Sequence, residues 1–355
     1  MQGLFDPVTL GAFELRNRIV MSPMTRSRAG DGDAPTDLHV EYYRQRASAG
    51  LIVTEGIQPS PAGKGYCRTP GFYSAHQTEG WRRVAEAVHA EGGLIVAQLM
   101  HCGRVASRIN KDDDSDVVAP SAIRAEAKIF TDVSGLVPME MPRALGTGEI
   151  PLVVEEYRQA ALNARAAGMD GVELHSSSGY LPMQFLSSNS NRRTDRYGGS
   201  AENRIRFVME TLQAMGEAIG FGRVGLRLCP GLDYNDMHDE NPVETYGLLM
   251  REASQLGLAY LHLVRRSVQL VDNYALTKAN WHGNLILNNE LSPETAAAAI
   301  SDGSAEAVSF GRPFIGNPDL VHRIRDGIAL SDYDRARVYT PGSQGYTDYP
   351  TASSA

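Results

Sequence analysis

Short apolar runs recur along this chain, with longer amphipathic segments between them. The runs are RIVM at 18–21, LIVTE at 51–55, LIVAQL at 94–99, GVELH at 171–175, VGLRL at 224–228, AYLHLV at 259–264, LIL at 285–287 and AVSF at 307–310. Each is too short for a helix and carries no continuous polar face, the pattern of a strand buried on both sides. Gly56 is expected to break the second run.

The spacers read differently. Trp81, Val84, Ala85 and Val88 follow i, i+3, i+4, i+7 spacing, one face of a helix over 81–91 that Gly92-Gly93 ends. Helices are also expected over 38–48, 154–167 and 243–255. Ser200 starts another as N-cap, with Glu202 in its first turn, running to about residue 219. Ser292-Pro293-Glu294 and Asn317-Pro318-Asp319 mark two further starts. Eight strands alternating with helices pair in parallel through crossovers, and eight closes a barrel. The expected fold is a (β/α)8 TIM barrel, one domain over residues 1–355, with a long insertion after the third strand. A doubly wound sheet would place a GxGxxG turn after the first strand, where Met21-Ser22-Pro23-Met24-Thr25 stands instead.

Three stretches interrupt the rhythm. Residues 103–150 show no sustained period, and so long a loop in a compact domain reads as an active-site cover. The Lys111-Asp112-Asp113-Asp114 run within it reads as a solvated tip. Residues 265–283 read as irregular, and the tail from Gly345 is polar without a helical pattern.

Charge and composition narrow the partners. A formal charge of −8 with scattered basic residues argues against nucleic acid and anionic membrane surfaces. The start, MQGLFDPVTL, lacks a basic region followed by an apolar run, so no signal peptide is expected. No apolar run approaches the roughly 18 residues that span a bilayer. Cys67, Cys102 and Cys229 read as cytosolic thiols, and no spacing of His and Cys suggests a metal. A cytoplasmic protein, monomer or homodimer, acting on a small molecule is expected.

Side chains at the carboxyl ends of barrel strands face the active site. Those positions hold Thr25, Gly56, Gln98, His101, His175, Ser178, Tyr180, Arg227 and Arg312. Neutral hydrogen-bonding groups and arginines dominate, which suits a polar, planar, anionic cofactor better than direct hydrolysis. Arg312, after the eighth strand, could bind a phosphate with neighbouring backbone N–H groups or make a structural ion pair. Arg227 needs an anionic or acceptor partner, either a cofactor edge or an internal acid such as Glu173. Tyr180 could donate a proton or simply pack. His175 and Ser178 could polarise a carbonyl oxygen.

The segments LFDPVTLGAFELRNRIVMSPMTRSRA, YYRQRASAGLIVTEG, GYCRTPG, GGLIVAQLMHCGR, AGMDGVELHSSSGYLPMQFLSSNSNRRTDRYGGSAENR, RVGLRLCP and FGRPFIGNPDL together resemble the Old Yellow Enzyme family of FMN-dependent ene-reductases. The matches span nearly the whole chain in family order. The resemblance implies FMN at the carboxyl face, held by Pro23, Met24, Thr25, Gly56, Gln98, Arg227, Asn288, Asn289, Gly311 and Arg312. It implies His175 as a substrate-carbonyl donor, with Ser178 at the second donor position, and Tyr180 as proton donor. Tyr66, Met100 and Tyr339 would line the substrate pocket. The implied reaction passes hydride from NAD(P)H through FMN to the activated C=C of an α,β-unsaturated carbonyl compound. A desaturase or isomerase on the same fold, or a ligand-binding barrel without turnover, are the alternatives.

Four places depart from the family pattern. Ser178 replaces His or Asn, and its hydroxyl reaches less far. Met100 stands where many members have Trp. Asn288-Asn289-Glu290 replaces a glycine-bearing phosphate turn, and Leu263-Val264-Arg265-Arg266 lacks a glutamate often found there.

Overall fold

The computed structural model describes residues 3–111, 115–268, 271–288 and 291–352. Eight strands form the frame: β1 Ile19–Met21, β2 Leu51–Ile57, β3 Ile95–Leu99, β4 Gly171–Ser176, β5 Val224–Leu228, β6 Tyr260–Val264, β7 Leu285–Asn288 and β8 Ala307–Phe310. Each pairs in parallel with the next, and β8 returns to β1, so the sheet closes into the expected barrel. Among the described residues ten α-helices accompany them: α1 Asp37–Arg44, α2 Ala75–Ala90, α3 Ile150–Ala166, α4 Leu181–Leu186, α5 Ala201–Ile219, α6 Pro242–Ser254, α7 Asn273–Asn280, α8 Pro293–Ser301, α9 Arg312–Gly316 and α10 Leu320–Asp326.

The barrel interior is layered. At the amino end, an antiparallel hairpin of Val8–Leu10 with Phe13–Leu15 plugs the opening. Leu10, Phe13 and Leu15 pack on the inward side chains Val20, Val53, Val96, Tyr260 and Ile286. Burying a side chain such as Phe13 stabilises by about 1.5–3 kcal/mol. Two glycines make room for this filling. A Cβ at Gly171 would lie 2.7 Å from the Phe13 ring, and one at Gly225 would lie 2.3 Å from the Tyr260 ring. One layer nearer the carboxyl end, the inward positions turn polar: Gln98, Glu173, Arg227, His262 and Ser309 are all buried. An apolar plug beneath a polar layer leaves the chemistry one open direction.

Local chemistry sets the element ends. The Ser74 hydroxyl accepts from Gln77 N–H in a capping box, so α2 begins before its apolar face does. Ser200 and Ser292 cap α5 and α8 as their sequence positions suggest. Strand β2 runs through Gly56 to Ile57 rather than stopping there; only its register shifts, between Val53 and Gly56. Within 265–283 the described residues hold a helix where irregular chain was expected: Asp272 accepts from the N–H groups of Tyr274 and Ala275 and starts α7. Asn317 does not cap α10. Its side chain donates to Pro313 O and accepts from Ser331 N–H, while Asp319 holds the N-cap position. The insertion after β3 carries an antiparallel hairpin of Lys128–Thr131 with Gly135–Pro138. Among the described residues no helix is long and apolar enough to cross a membrane.

Candidate active site

The carboxyl ends of the strands open into a cavity of about 1260 Å³. Pro23, Met24 and Thr25 reach it after β1, Gln98 and Met100 from β3 and its end, and Arg227 from β5. His175, Ser178 and Tyr180 enter from β4 and the turn beyond it, Asn288 from β7, and Gly311 and Arg312 after β8. Tyr66 and Tyr339 complete the set that the sequence singles out on the cavity wall. Gly56 is set back from that wall. A Cβ there would lie 2.5 Å from Met100 Sδ, so its bare backbone makes room for the methionine rather than lining the cavity itself. Asn289, with Glu290, lies outside the described residues. His101 does not line the cavity; its Nδ1 accepts the Gly103 N–H at 3.1 Å.

Arg227 is buried with neutral direct partners. Its Nη1 lies 2.7 Å from His262 Nε2, and its Nη2 donates to Asn288 Oδ1 at 3.0 Å. The internal acid sits one step behind. Glu173 accepts from Gln98 Nε2 and pairs with His262 Nδ1, both at 2.8 Å. Burial, and then Arg227, pull His262 down to about 4, so the imidazole is neutral. Burial opposes ionisation of Glu173, yet His262, Arg227 and Gln98 hold it below the usual carboxylate range. A carboxylate, a neutral histidine and an arginine thus form a line that ends at the cavity. His262 went unread in the sequence. The alternation Tyr260-Leu261-His262 does place it on the inner face.

His175 is held by Ser177, the other residue missed. The Ser177 hydroxyl lies 3.3 Å from His175 Nδ1, and the Ser177 N–H points at the same nitrogen from 3.4 Å. Occupying Nδ1 as acceptor places the ring proton on Nε2. Burial and Arg227 pull His175 down to about 3, so it is a neutral donor across ordinary pH. Tyr180 stands edge-on to it, ring centroids 4.8 Å apart. The Tyr180 hydroxyl is 3.2 Å from that of Tyr66, and burial holds Tyr180 well above 10, fully protonated. Ser178 takes a left-handed backbone, φ 59°, which turns the chain toward the cavity.

Two segments cover the mouth. Ile129, Phe130, Leu136 and Met139 from the inserted hairpin form an apolar wall. Opposite, a C-terminal strap contributes Tyr333, Val338 and Tyr339. Buried arginines after β1 tie the strap down. Arg28 donates to the carbonyls of Arg337, Val338, Gly342 and Gln344, and Arg26 to those of Val338 and Gly345.

These residues fit FMN. Arg227 is a buried cation without a direct anionic partner, as the N1–C2 edge of an isoalloxazine requires. Among the described residues Arg312 makes no ion pair, and it stands beside β7 and β8, where such barrels bind phosphate.

A closed (β/α)8 barrel with this cavity is the architecture of many flavin-binding oxidoreductases. The profile of the NADH:flavin oxidoreductase / NADH oxidase family matches residues 3–331, and the chain belongs to that family, the Old Yellow Enzyme group. Rice 12-oxophytodienoate reductase 7 is 38% identical over 98% of this chain and 94% of its own length. A probable flavin mononucleotide-dependent alkene reductase of Leishmania infantum is 39% identical over 98% of this chain and 97% of its own. Among solved structures, morphinone reductase in complex with tetrahydroNAD superposes with a TM-score of 0.94 at 45% identity, covering 99% of this chain and 98% of that one. The chain is an FMN-dependent enzyme that transfers hydride from a nicotinamide cofactor through the flavin to activated alkenes. That sets aside the barrel without turnover.

Proposed function

We propose that this chain reduces α,β-unsaturated carbonyl compounds with Tyr180 as proton donor and His175 as the principal carbonyl donor. The observation that carries this reading is the pairing of a neutral, Nε2-protonated His175 with a fully protonated Tyr180 on one cavity wall. FMN, when bound, supplies the hydride chemistry. Arg227 and Gln98 would hold its ring and Arg312, Gly311 and Asn288 its phosphate end, with Pro23, Met24 and Thr25 against the ring edge. The His175 Nε2–H donates to the substrate oxygen, drawing charge from the β-carbon. Ser178 contributes a shorter, weaker second donor. The Tyr180 hydroxyl delivers its proton to the α-carbon, and Tyr66, Met100 and Tyr339 shape the space around the substrate.

Tyr180→Phe tests the assignment. The oxidative half-reaction with cyclohexenone should slow by roughly a hundredfold, the lower end of what a positioned general acid contributes. Flavin reduction by NAD(P)H should stay within about twofold. Equal slowing of both halves would remove the proton-donor role.

The same reading takes the chain as one FMN-binding domain working in the cytoplasm, as monomer or homodimer, without nucleic acid. The −8 charge and three buried free thiols support it.

A further inference from the structure

Two hydrogen-bonded paths leave the Arg227 guanidinium and meet on one ring nitrogen of His262. The short path is direct: Nη1 lies 2.7 Å from His262 Nε2, nearer than Nδ1 at 3.0 Å. The long path runs through three side chains. Arg227 Nη2 donates to Asn288 Oδ1 at 3.0 Å. A guanidinium only donates, so this contact fixes which way the Asn288 carboxamide faces. Its Nδ2 then donates to the Ser309 carbonyl at 3.1 Å and to Ser22 Oγ at 3.0 Å. Ser22 Oγ donates to Ser309 Oγ at 2.9 Å, and Ser309 Oγ stands 2.8 Å from His262 Nε2.

The proton positions follow from that order. Ser22 accepts from Asn288 and gives its own proton to Ser309, which leaves the Ser309 proton for Nε2. With Nε2 accepting from both paths, a neutral imidazole carries its proton on Nδ1. That proton meets Glu173 Oε2 at 2.8 Å, while Gln98 Nε2 donates to Oε1 at 2.8 Å. Every donor in the network points from the cation toward the acid. Glu173 and His262 are fully buried, so solvent does not screen the charge. A carboxylate in direct contact would close an ion pair with Arg227; the neutral ring holds the two charges apart instead.

We propose that Glu173, acting through His262, offsets part of the Arg227 charge and so sets the reduction potential of the flavin. Both are positioning residues, and the proposal rests on Arg227 meeting the flavin ring. Hydride brings two electrons and one proton to the flavin, so one negative charge settles on the ring. Arg227 favours that charge and Glu173 opposes it. The offset leaves the reduced flavin readier to pass its hydride on.

Glu173→Gln removes the charge and keeps the shape. Its amide oxygen still accepts from His262 Nδ1, and Gln98 can turn its own amide to match. In anaerobic equilibration with a reference dye, the ratio of reduced to oxidised flavin at fixed potential should rise roughly tenfold, about 30 mV for a two-electron couple. Glu173→Asp keeps the charge and should stay within about threefold of the native ratio. An unchanged or lowered potential in Glu173→Gln would overturn the proposal, as would an equal shift in Glu173→Asp, because packing and not charge would then be at work. If Glu173→Gln fails to fold or to hold FMN, the native holoenzyme decides. The 15N spectrum of His262 at neutral pH should show a protonated Nδ1 and a bare Nε2; a protonated Nε2 would break the line to Glu173 and overturn the proposal. Arg227→Lys separates the failures. If it moves neither the potential nor FMN affinity, Arg227 does not meet the ring and that reading falls; if it moves either while Glu173→Gln moves nothing, only the role of Glu173 falls.

Discussion

Arg227 carries a positive charge into a place where its direct partners, His262 and Asn288, are neutral. A buried cation in that position is costly until an anion completes it. The nearby acid does not complete it, because Glu173 is engaged by His262 and Gln98. The residue is therefore arranged for a charge that arrives with the cofactor. The surrounding histidines are kept uncharged by the same burial. His39, His101 and His175 are pulled down to about 3 and His262 to about 4. An unfolded histidine titrates near 6.5. Between that value and the folded ones the unfolded chain binds more protons, so stability present at neutral pH is lost as pH falls through this window. Glu55, pushed up to about 7 by burial, and Glu156, also raised by burial, work the other way, but they are two groups against four. The urea midpoint should therefore drop on going from pH 7 to pH 5; a constant or rising midpoint would show that these histidines are not held neutral. Arg227, His175 and Tyr180 were legible in the sequence because they lie at or just beyond the ends of recognisable strands. Ser177 was not, since it acts through a contact that only the folded turn creates.

The strap and the inserted hairpin make the cavity at the scale of elements. Neither has a helical or strand period strong enough to announce itself. The strap is shaped by carbonyls that Arg26 and Arg28 collect, and long-range contacts of that kind leave no local pattern. Removing them should loosen the cover and not the barrel. Arg28→Ala is expected to raise KM for the enone severalfold with kcat little changed, and to speed limited proteolysis within residues 333–345. Unchanged proteolysis would mean that the strap is held by other contacts. The period itself explains where element reading failed. Helix α7 is eight residues long with a weak apolar face, and its Asp272 cap was the only local sign. The start of α2 was displaced because Ser74 and Gln77 make the cap before the apolar face begins.

The barrel was readable at the scale of the molecule because closure needs only a count and an alternation. Eight buried runs with helices between them leave few parallel arrangements. Its contents were less so. The N-terminal hairpin fills the barrel floor by meeting Gly171 and Tyr260, residues far along the chain, and no neighbouring sequence signals that role. The floor matters to function, because it closes the amino end and leaves the chemistry to the carboxyl face. That face is expected to hold FMN and pass hydride to an enone although Ser178 stands at the second donor position. The direct measurement is the visible spectrum of the purified protein, followed under anaerobic conditions by NAD(P)H and then cyclohexenone. A flavin spectrum that bleaches with the nicotinamide and returns with the enone is the expected result. A protein that takes up no FMN even when it is supplied, or whose reduced flavin the enone leaves untouched, would contradict it.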